Sequence, residues 1–242
     1  MLKSREIAIS LQNGELQGVA CHDNHSVSVK LPKVSYSRGI PLLEEPLEDA
    51  LKELLSELRQ GINVLPPKVL FTGYIPSEAT RHFIRNSFVN TGGGDLYFME
   101  RPMAVSMGHE PDIKEDQKRV YLLWENGVLE CAALKGHHIY KTLRIETETV
   151  YTVEGYNELQ EVQYIEGITE QAFSALDSYL IKLFKEGYPT ETPYFWSSAV
   201  PASEVMDALL SRVSKFELVD IGSPLQGCLK LLKEIGLKSL RF

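Results

Sequence analysis

A few short stretches of this chain hold residue types that could do chemistry. Gly92-Gly93-Gly94-Asp95 has the composition of an anion nest, where successive backbone N–H groups converge on a phosphate. The competing reading is a helix C-cap and helix-to-strand loop, and the apolar strand pattern Leu96–Met99 that follows at once favours it. His22-Asp23-Asn24-His25 and His137-His138 carry metal-ligand types. A zinc site needs three or four convergent ligands, however, and Asp-Asn suits a bend between strands, so no metal is expected. Glu15 and Glu125 flank two Asn-Gly turns, and Asp220 lies further on. Such carboxylates are what a phosphoryl-transfer site uses to hold Mg²⁺ and orient water.

The elements that would position these residues occur twice. Asn13-Gly14 recurs as Asn126-Gly127, and at that single offset the match runs without a gap from Ile7/Val120 through Ile9/Leu122, Leu11/Trp124 and Leu16/Leu129 to His25/His138. Each copy alternates apolar and polar residues on both sides of Asn-Gly, the strongest short-range signal for a type I′ hairpin. A third strand follows each, at 26–30 and 139–145. Leu-rich helical spacing comes next, from Pro46 to Leu58 and from Ile168 to Phe184. Then come a short strand (68–71 and 193–196), a helix opened by Pro-Ser-Glu or Pro-Ala-Ser-Glu (to Val89 and to Val213), a strand (96–99 and 216–220), and a helix entered through Pro102 or Pro224. Each half therefore reads β-β-β-α-β-α-β-α. The pattern predicts a mixed five-stranded sheet in each of two lobes, 1–112 and 113–242, with helices on both faces and the hairpins facing a cleft.

Composition narrows the function. A net charge of −8 and a pI near 5.4 argue against nucleic-acid binding, which needs a basic face. No apolar run reaches the ~18 residues of a membrane helix, and the start of the chain leads into a strand, so the expected location is the cytoplasm. Cys21, Cys131 and Cys228 have no paired spacing and read as reduced, mostly buried thiols.

Lys68-Val69-Leu70-Phe71, Ile75-Pro76-Ser77, Arg81 and Tyr97-Phe98-Met99-Glu100-Arg101-Pro102-Met103-Ala104-Val105-Ser106-Met107-Gly108 resemble the bacterial actin MreB family. In that family the last run reads Glu-Glu-Pro-Met-Ala-Ala-Ala-Ile-Gly after a strand. The resemblance is specific between Pro67 and Gly108 and continues by element order over the rest of the chain. It implies a duplicated actin-like (ribonuclease H-like) α/β fold and an ATP site built from glycine-rich hairpins.

Two departures shape what the resemblance implies. The family is about a hundred residues longer, and its outer subdomains find no room between Leu31 and Leu47, and only the polar segment from Ile145 to Gln163 in the second half. Filament formation is therefore not expected to be inherited, and the oligomeric state stays open. The nucleotide loops also differ. The first hairpin offers neutral Ser10 before Asn13-Gly14 where the family has Asp and glycines, and Trp124 before Asn126-Gly127 stands where the family has a phosphate glycine. Ser197-Ser198 replaces the glycines of the adenosine motif, and Arg101 replaces the second Glu beside Glu100. Side chains obstruct the close backbone approach that glycine permits. Ser10, Asn13, Gly14, Glu100, Trp124, Asn126, Gly127, Ser197 and Ser198 thus mark a degenerate nucleotide cleft with no catalytic residue and no cofactor. Glu100 reads equally as a vestigial cleft carboxylate or as a partner of Arg101 or of a helix N-terminus.

The expected function is a non-catalytic, pseudo-ATPase scaffold or adaptor with protein partners in an envelope or membrane-associated assembly. The rivals are a divergent ATPase or small-molecule kinase using Glu15, Glu125 or Asp220, and a nucleotide or metabolite sensor. From Leu225 to Phe242 the chain carries Lys230, Lys233, Lys238 and Arg241 against Glu234, beside Leu225, Leu229, Leu232, Ile235, Leu237 and Leu240. Such a segment can lie weakly on the inner face of an anionic membrane. The favoured reading has its helix docked on its own sheet, leaving the tail from Gly236 to Phe242 for contact.

Overall fold

The computed structural model describes residues 5–22, 24–37, 40–59, 65–110, 112–146, 148–152, 163–167, 170–199, 201 and 203–234. The chain divides into two compact units, Met1–Ile113 with Asp220–Phe242, and Lys114–Val219.

The first unit opens with β1 (Glu6–Gln12), β2 (Glu15–Ala20) and β3 (Ser26–Lys30), then a short ladder of β4 (Tyr36–Ser37) with β5 (Ile40–Pro41). It continues through α1 (Glu44–Leu58), β6 (Lys68–Gly73), α2 (Glu78–Asn90), β7 (Leu96–Glu100) and α3 (Arg101–His109). Its sheet has the order β3-β2-β1-β6-β7, antiparallel up to β1 and parallel beyond. The second unit repeats this with β8 (Lys118–Glu125), β9 (Val128–Lys135) and β10 (His138–Glu146), a ladder of β11 (Glu148–Thr152) with β12 (Gln163–Gly167), then α4 (Glu170–Lys185), β13 (Tyr194–Ser197), α5 (Ser203–Leu210) and β14 (Glu217–Leu218). Its sheet order is β10-β9-β8-β13-β14. A last helix, α6 (Ser223–Glu234), follows.

The repeat seen in the sequence is a repeat of register. Ile7 faces Ala20 and Leu11 faces Leu16 across the first hairpin, and Val120 faces Ala133 and Trp124 faces Leu129 across the second. Both turns hold Asn and Gly at positive φ, 48° and 70° for Asn13-Gly14 and 46° and 78° for Asn126-Gly127, the type I′ geometry that matches strand twist.

Strand alternation sends Ile7, Ile9 and Leu11 into one core with Phe71, Ile84 and the buried stripe Leu47, Leu51, Leu54, Leu55 and Leu58 of α1. Each such side chain contributes about 1.5–3 kcal/mol when fully buried. Val120, Leu122, Trp124, Leu176, Leu180 and Phe195 form the corresponding core of the second unit. Helix α2 starts where the Ser77 side chain accepts the Thr80 N–H (3.2 Å). It ends in a Schellman motif, with Gly92 at φ 72° donating to the Val89 carbonyl (3.0 Å) and Gly93 to that of Phe88 (3.2 Å). Gly92 and Gly93 thus cap the helix, and Gly94 donates to the Pro67 carbonyl (3.1 Å) in the loop to β7.

Several expectations need correction. The lobes 1–112 and 113–242 do not describe the two units, because the segment from Asp220 joins the first. Cys228 and Leu232, with Leu225 and Leu229 beside them, pack on Ala8 and Leu70 of the first sheet and on Met99, Ala104 and Met107. The C-terminal helix therefore docks, but not on the sheet that precedes it. Strand β14 keeps only Glu217–Leu218 of the expected 216–220. Phe216 turns onto the Phe195 ring (5.0 Å), and Asp220 accepts the Gly222 N–H (2.7 Å) in an Asx turn ahead of α6. Helix α5 stops at Leu210, short of Val213. The segment expected to be only polar and short carries the β11–β12 ladder, Glu148 facing Gly167 through Thr152 facing Gln163. The tail 236–242 and Asp23 lie outside the described residues.

Helices α3 and α6 cross at small residues. A Cβ on Gly108 would stand 2.0 Å from the Ser223 carbonyl oxygen, and one on Gly227 would stand 1.9 Å from that of Ala104. Only glycine lets the backbones approach this closely.

Candidate functional site

In the first unit the strand ends carry a buried polar group. Alternation along β1 turns Ser10 and Gln12 away from the Ile9–Leu11 core, and the parallel register sets Thr72 of β6 opposite Ser10. The Gln12 amide donates to the Ser10 hydroxyl (2.7 Å), and both are buried. The Thr72 hydroxyl, also buried, has no hydrogen-bond partner among the described residues.

The adjoining turn is closed by the chain itself. A Cβ on Gly14 would lie 2.1 Å from Cζ of Tyr36, so the hydroxyl-bearing end of the ring rests directly on the glycine. The Gly14 carbonyl accepts the Leu31 N–H (2.7 Å). Glu100 ends β7 at the start of α3 and accepts from the Arg81 guanidinium (3.2 Å). That cation stands on α2, one helix before β7. Arg101 is itself buried, its guanidinium 5.2 Å from the Tyr74 ring centre.

In the second unit Trp124 belongs to the core. It shares the face of Val120 and Leu122, takes the place of Leu11 in the repeat, and is fully enclosed in the core. Beyond it, Glu125 is buried. The Trp124 carbonyl accepts the Ser198 N–H (3.3 Å). Ser197 closes a side-chain turn, accepting the Ala199 N–H (3.3 Å) and donating to the Ala199 carbonyl. The Ser198 hydroxyl and the Asn126 amide nitrogen are buried without hydrogen-bond partners among the described residues. Ser10, Asn13 and Gly14 thus come together in one unit, and Trp124, Asn126, Gly127, Ser197 and Ser198 in the other.

The carboxylates singled out for phosphoryl transfer have structural partners. Glu15 accepts from the Ser28 hydroxyl across the hairpin, and Asp220 makes the Asx turn before α6. A further buried carboxylate, Glu130, pairs with Arg144 (3.1 Å). Among the described residues no three of His, Cys, Asp and Glu stand together as metal ligands would. At the β2–β3 turn, Asn24 adopts φ 55° and accepts from the Lys233 ammonium (2.8 Å). Burial pushes all three thiols up, Cys21 to about 11 with help from the nearby Glu6 charge, so none resembles an activated nucleophile.

Sequence reasoning missed Gln12, Tyr36 and Thr72. The i, i+2 spacing of Ser10 and Gln12 and the alternation Val69, Phe71 against Leu70, Thr72 carried part of the signal. The Tyr36–Gly14 contact joins distant segments and had none.

Two repeated sheets of this order and their crossover helices define the actin-like ATPase fold. No protein-family model matches the chain, and no curated protein matches it in sequence. Solved structures do match in fold. MreB5 of Spiroplasma citri bound to ADP has a TM-score of 0.67 at 11% identity, over 98% of each chain. A MamK double helical filament has a TM-score of 0.60 at 10% identity, over 96% of this chain and 99% of that one. The PilM–PilN type IV pilus biogenesis complex has a TM-score of 0.59 at 11% identity, over 93% and 97%. The chain is therefore a divergent bearer of the fold that MreB and MamK share.

Proposed function

We propose that the protein is a non-catalytic scaffold or adaptor on the actin-like fold, working through protein partners in an envelope or membrane-associated assembly in the cytoplasm. The observation that carries this reading is the Tyr36 ring seated on Gly14, which fills with the chain's own side chain the space beside the first hairpin turn. The second unit supports it, with Trp124 committed to the core and Ser197 to its own turn. Among fold neighbours, a PilM–PilN complex and a MamK filament are protein assemblies, which suits a role in assembly. No helix among the described residues is long and apolar enough to cross a membrane. Titration calorimetry with Mg²⁺-ATP, together with phosphate release, tests the reading. No heat of binding and no turnover are expected, and micromolar affinity with hydrolysis would end it.

One observation favours a second reading, a nucleotide or metabolite sensor. Thr72, Asn126 and Ser198 each bury a polar atom without a hydrogen-bond partner among the described residues, a cost of about 1–3 kcal/mol apiece that a polar ligand would relieve. A thermal-shift panel of nucleotides and small metabolites separates the two, because binding to the folded state raises apparent stability.

A further inference from the structure

The outer strand of a sheet presents an open row of backbone donors and acceptors, which folds blunt with lysines, bulges or brevity. In the two five-stranded sheets, β3 ends in Lys30, β10 is bulged between Ile139 and Lys141, and β14 is two residues long. Strand β7 has none of these devices. Its register with β6 runs unbroken from Val69 facing Leu96 to Gly73 facing Glu100, and Leu96–Glu100 contains neither lysine nor proline. The Val69 N–H donates to the Asp95 carbonyl (2.8 Å), so in this parallel ladder Tyr97 and Met99 turn their backbone groups towards β6. The N–H and carbonyl groups of Leu96 and Phe98 therefore point outward, and no strand among the described residues pairs with them.

One row of α2 runs beside this edge, with Arg81, Arg85 and Val89 at successive i, i+4 positions. The Arg81 and Arg85 guanidiniums lie 5.4 and 5.7 Å from the Phe98 ring centre. An open groove of about 300 Å³ between helix and strand is lined by Arg85, Val89, Gly94, Asp95, Leu96 and Tyr97, and Val89 is 56% exposed. The carboxylates nearby are already engaged, Glu78 and Glu100 with Arg81 (3.8 and 3.2 Å) and Asp95 with Lys68 (3.1 Å). Arg85 is exposed and has only the Phe98 ring beside it, with no carboxylate partner among the described residues.

We propose that the β7 edge takes an extended segment of a partner protein as a sixth strand, with an acidic side chain against Arg85 and, two positions away, an apolar one beside Val89 and Leu96. Alternation along a strand sets residues two apart on one face, which is how a single segment reaches both. Backbone pairing supplies affinity, and the alternate side chains select the sequence. A second copy of this chain fits less well, because two β7 edges pairing antiparallel would set one Arg81–Arg85 row against the other, like charge against like. The site gives the adaptor reading, on which it rests, the chemistry of its partner. The two fail separately: Mg²⁺-ATP turnover would end that reading without touching peptide binding, and failed peptide binding would leave that reading standing.

Fluorescence anisotropy of the labelled peptide Thr-Glu-Thr-Val-Thr-Glu-Thr with the full chain tests it, since that sequence offers the same acidic and apolar spacing in either strand direction. Binding is expected, weakened about tenfold or more by lysine in place of both peptide glutamates and by Arg85→Glu. Serine in place of the peptide valine should weaken it about threefold or more. The Arg85→Glu chain should in turn prefer the lysine peptide, with unchanged circular dichroism and melting showing that it folds. N-methylation of alternate peptide amides separates a ladder from a merely charged groove. In the phase whose N–H groups face β7 it should abolish binding, and in the other it should be tolerated. A wild type that does not bind, equal tolerance of both phases, or an Arg85→Glu chain that binds undiminished overturns the proposal. So does a wild type that sediments as a dimer dissolved by Leu96→Pro, which removes an outward N–H at the first residue of an edge strand, since the edge would then belong to a second copy.

Discussion

At the same place in the repeat, the first unit carries Ser10, Gln12 and Thr72 where the second carries Leu123, Glu125 and Trp196. The backbone does not register the change, for both hairpins keep the Asn-Gly turn at nearly the same dihedral angles. A type I′ turn asks only for residues that tolerate positive φ, so it forms whether or not a phosphate ever completes it. The side chains beside it are then free to become ordinary filling: a tyrosine on Gly14 in one unit, a core tryptophan in the other. The duplicated fold is held by turns, strands and helical stripes, and the chemistry of the strand ends is a separate matter.

The heaviest blow to the comparison falls in the first unit, at the α3–α6 crossing. Gly227→Val puts side-chain atoms into the Ala104 carbonyl and should cost more than about 3 kcal/mol or prevent folding, read from the denaturant midpoint. Matched core truncations sharpen the comparison next. Trp124→Ala should lose about 4 kcal/mol and Leu11→Ala about 3 kcal/mol by chemical denaturation. Trp124→Gly should create no Mg²⁺-ATP affinity if the indole is purely core. Tyr36→Ala uncovers Gly14 at a cost of about 1–3 kcal/mol. Nucleotide affinity appearing in that variant by calorimetry would make the ring a lid over a usable turn instead of permanent filling. Asn13→Ala and Asn126→Ala should each cost about 1 kcal/mol, and unequal melting shifts would show that the two turns differ in more than side chains.

The smallest effect is a pH dependence. Between its ordinary value of 9.0 and about 11, the unfolded chain releases a Cys21 proton that the folded chain keeps. Stability should therefore be full below that window and fall as pH rises through it. Alkylation of the native protein near neutral pH should be slow, and Cys21→Ser should flatten the alkaline decline.

The architecture was legible because its determinants are local or periodic. Asn-Gly dictates each turn, alternation dictates each strand, Ser77 starts α2, and Gly92 ends it. The recurrence of the hairpin at one offset, Asn13-Gly14 to Asn126-Gly127, followed by the same order of later elements, was enough to place ten strands into two sheets. The residues of the hairpin loops could be read by type, but what packs against them could not. Tyr36 reaches Gly14 from beyond β3, Glu100 meets Arg81 from α2, and α6 returns to a sheet that begins at the opposite end of the chain. Those outcomes depend on which distant surfaces fit, and neither period nor propensity along the chain encodes a fit. By itself the sequence determined two repeated sheets with turns that need no ligand. Only the tertiary structure decided that the turns are filled from within and that the last helix closes the first unit, because both follow from close packing between segments far apart in the chain.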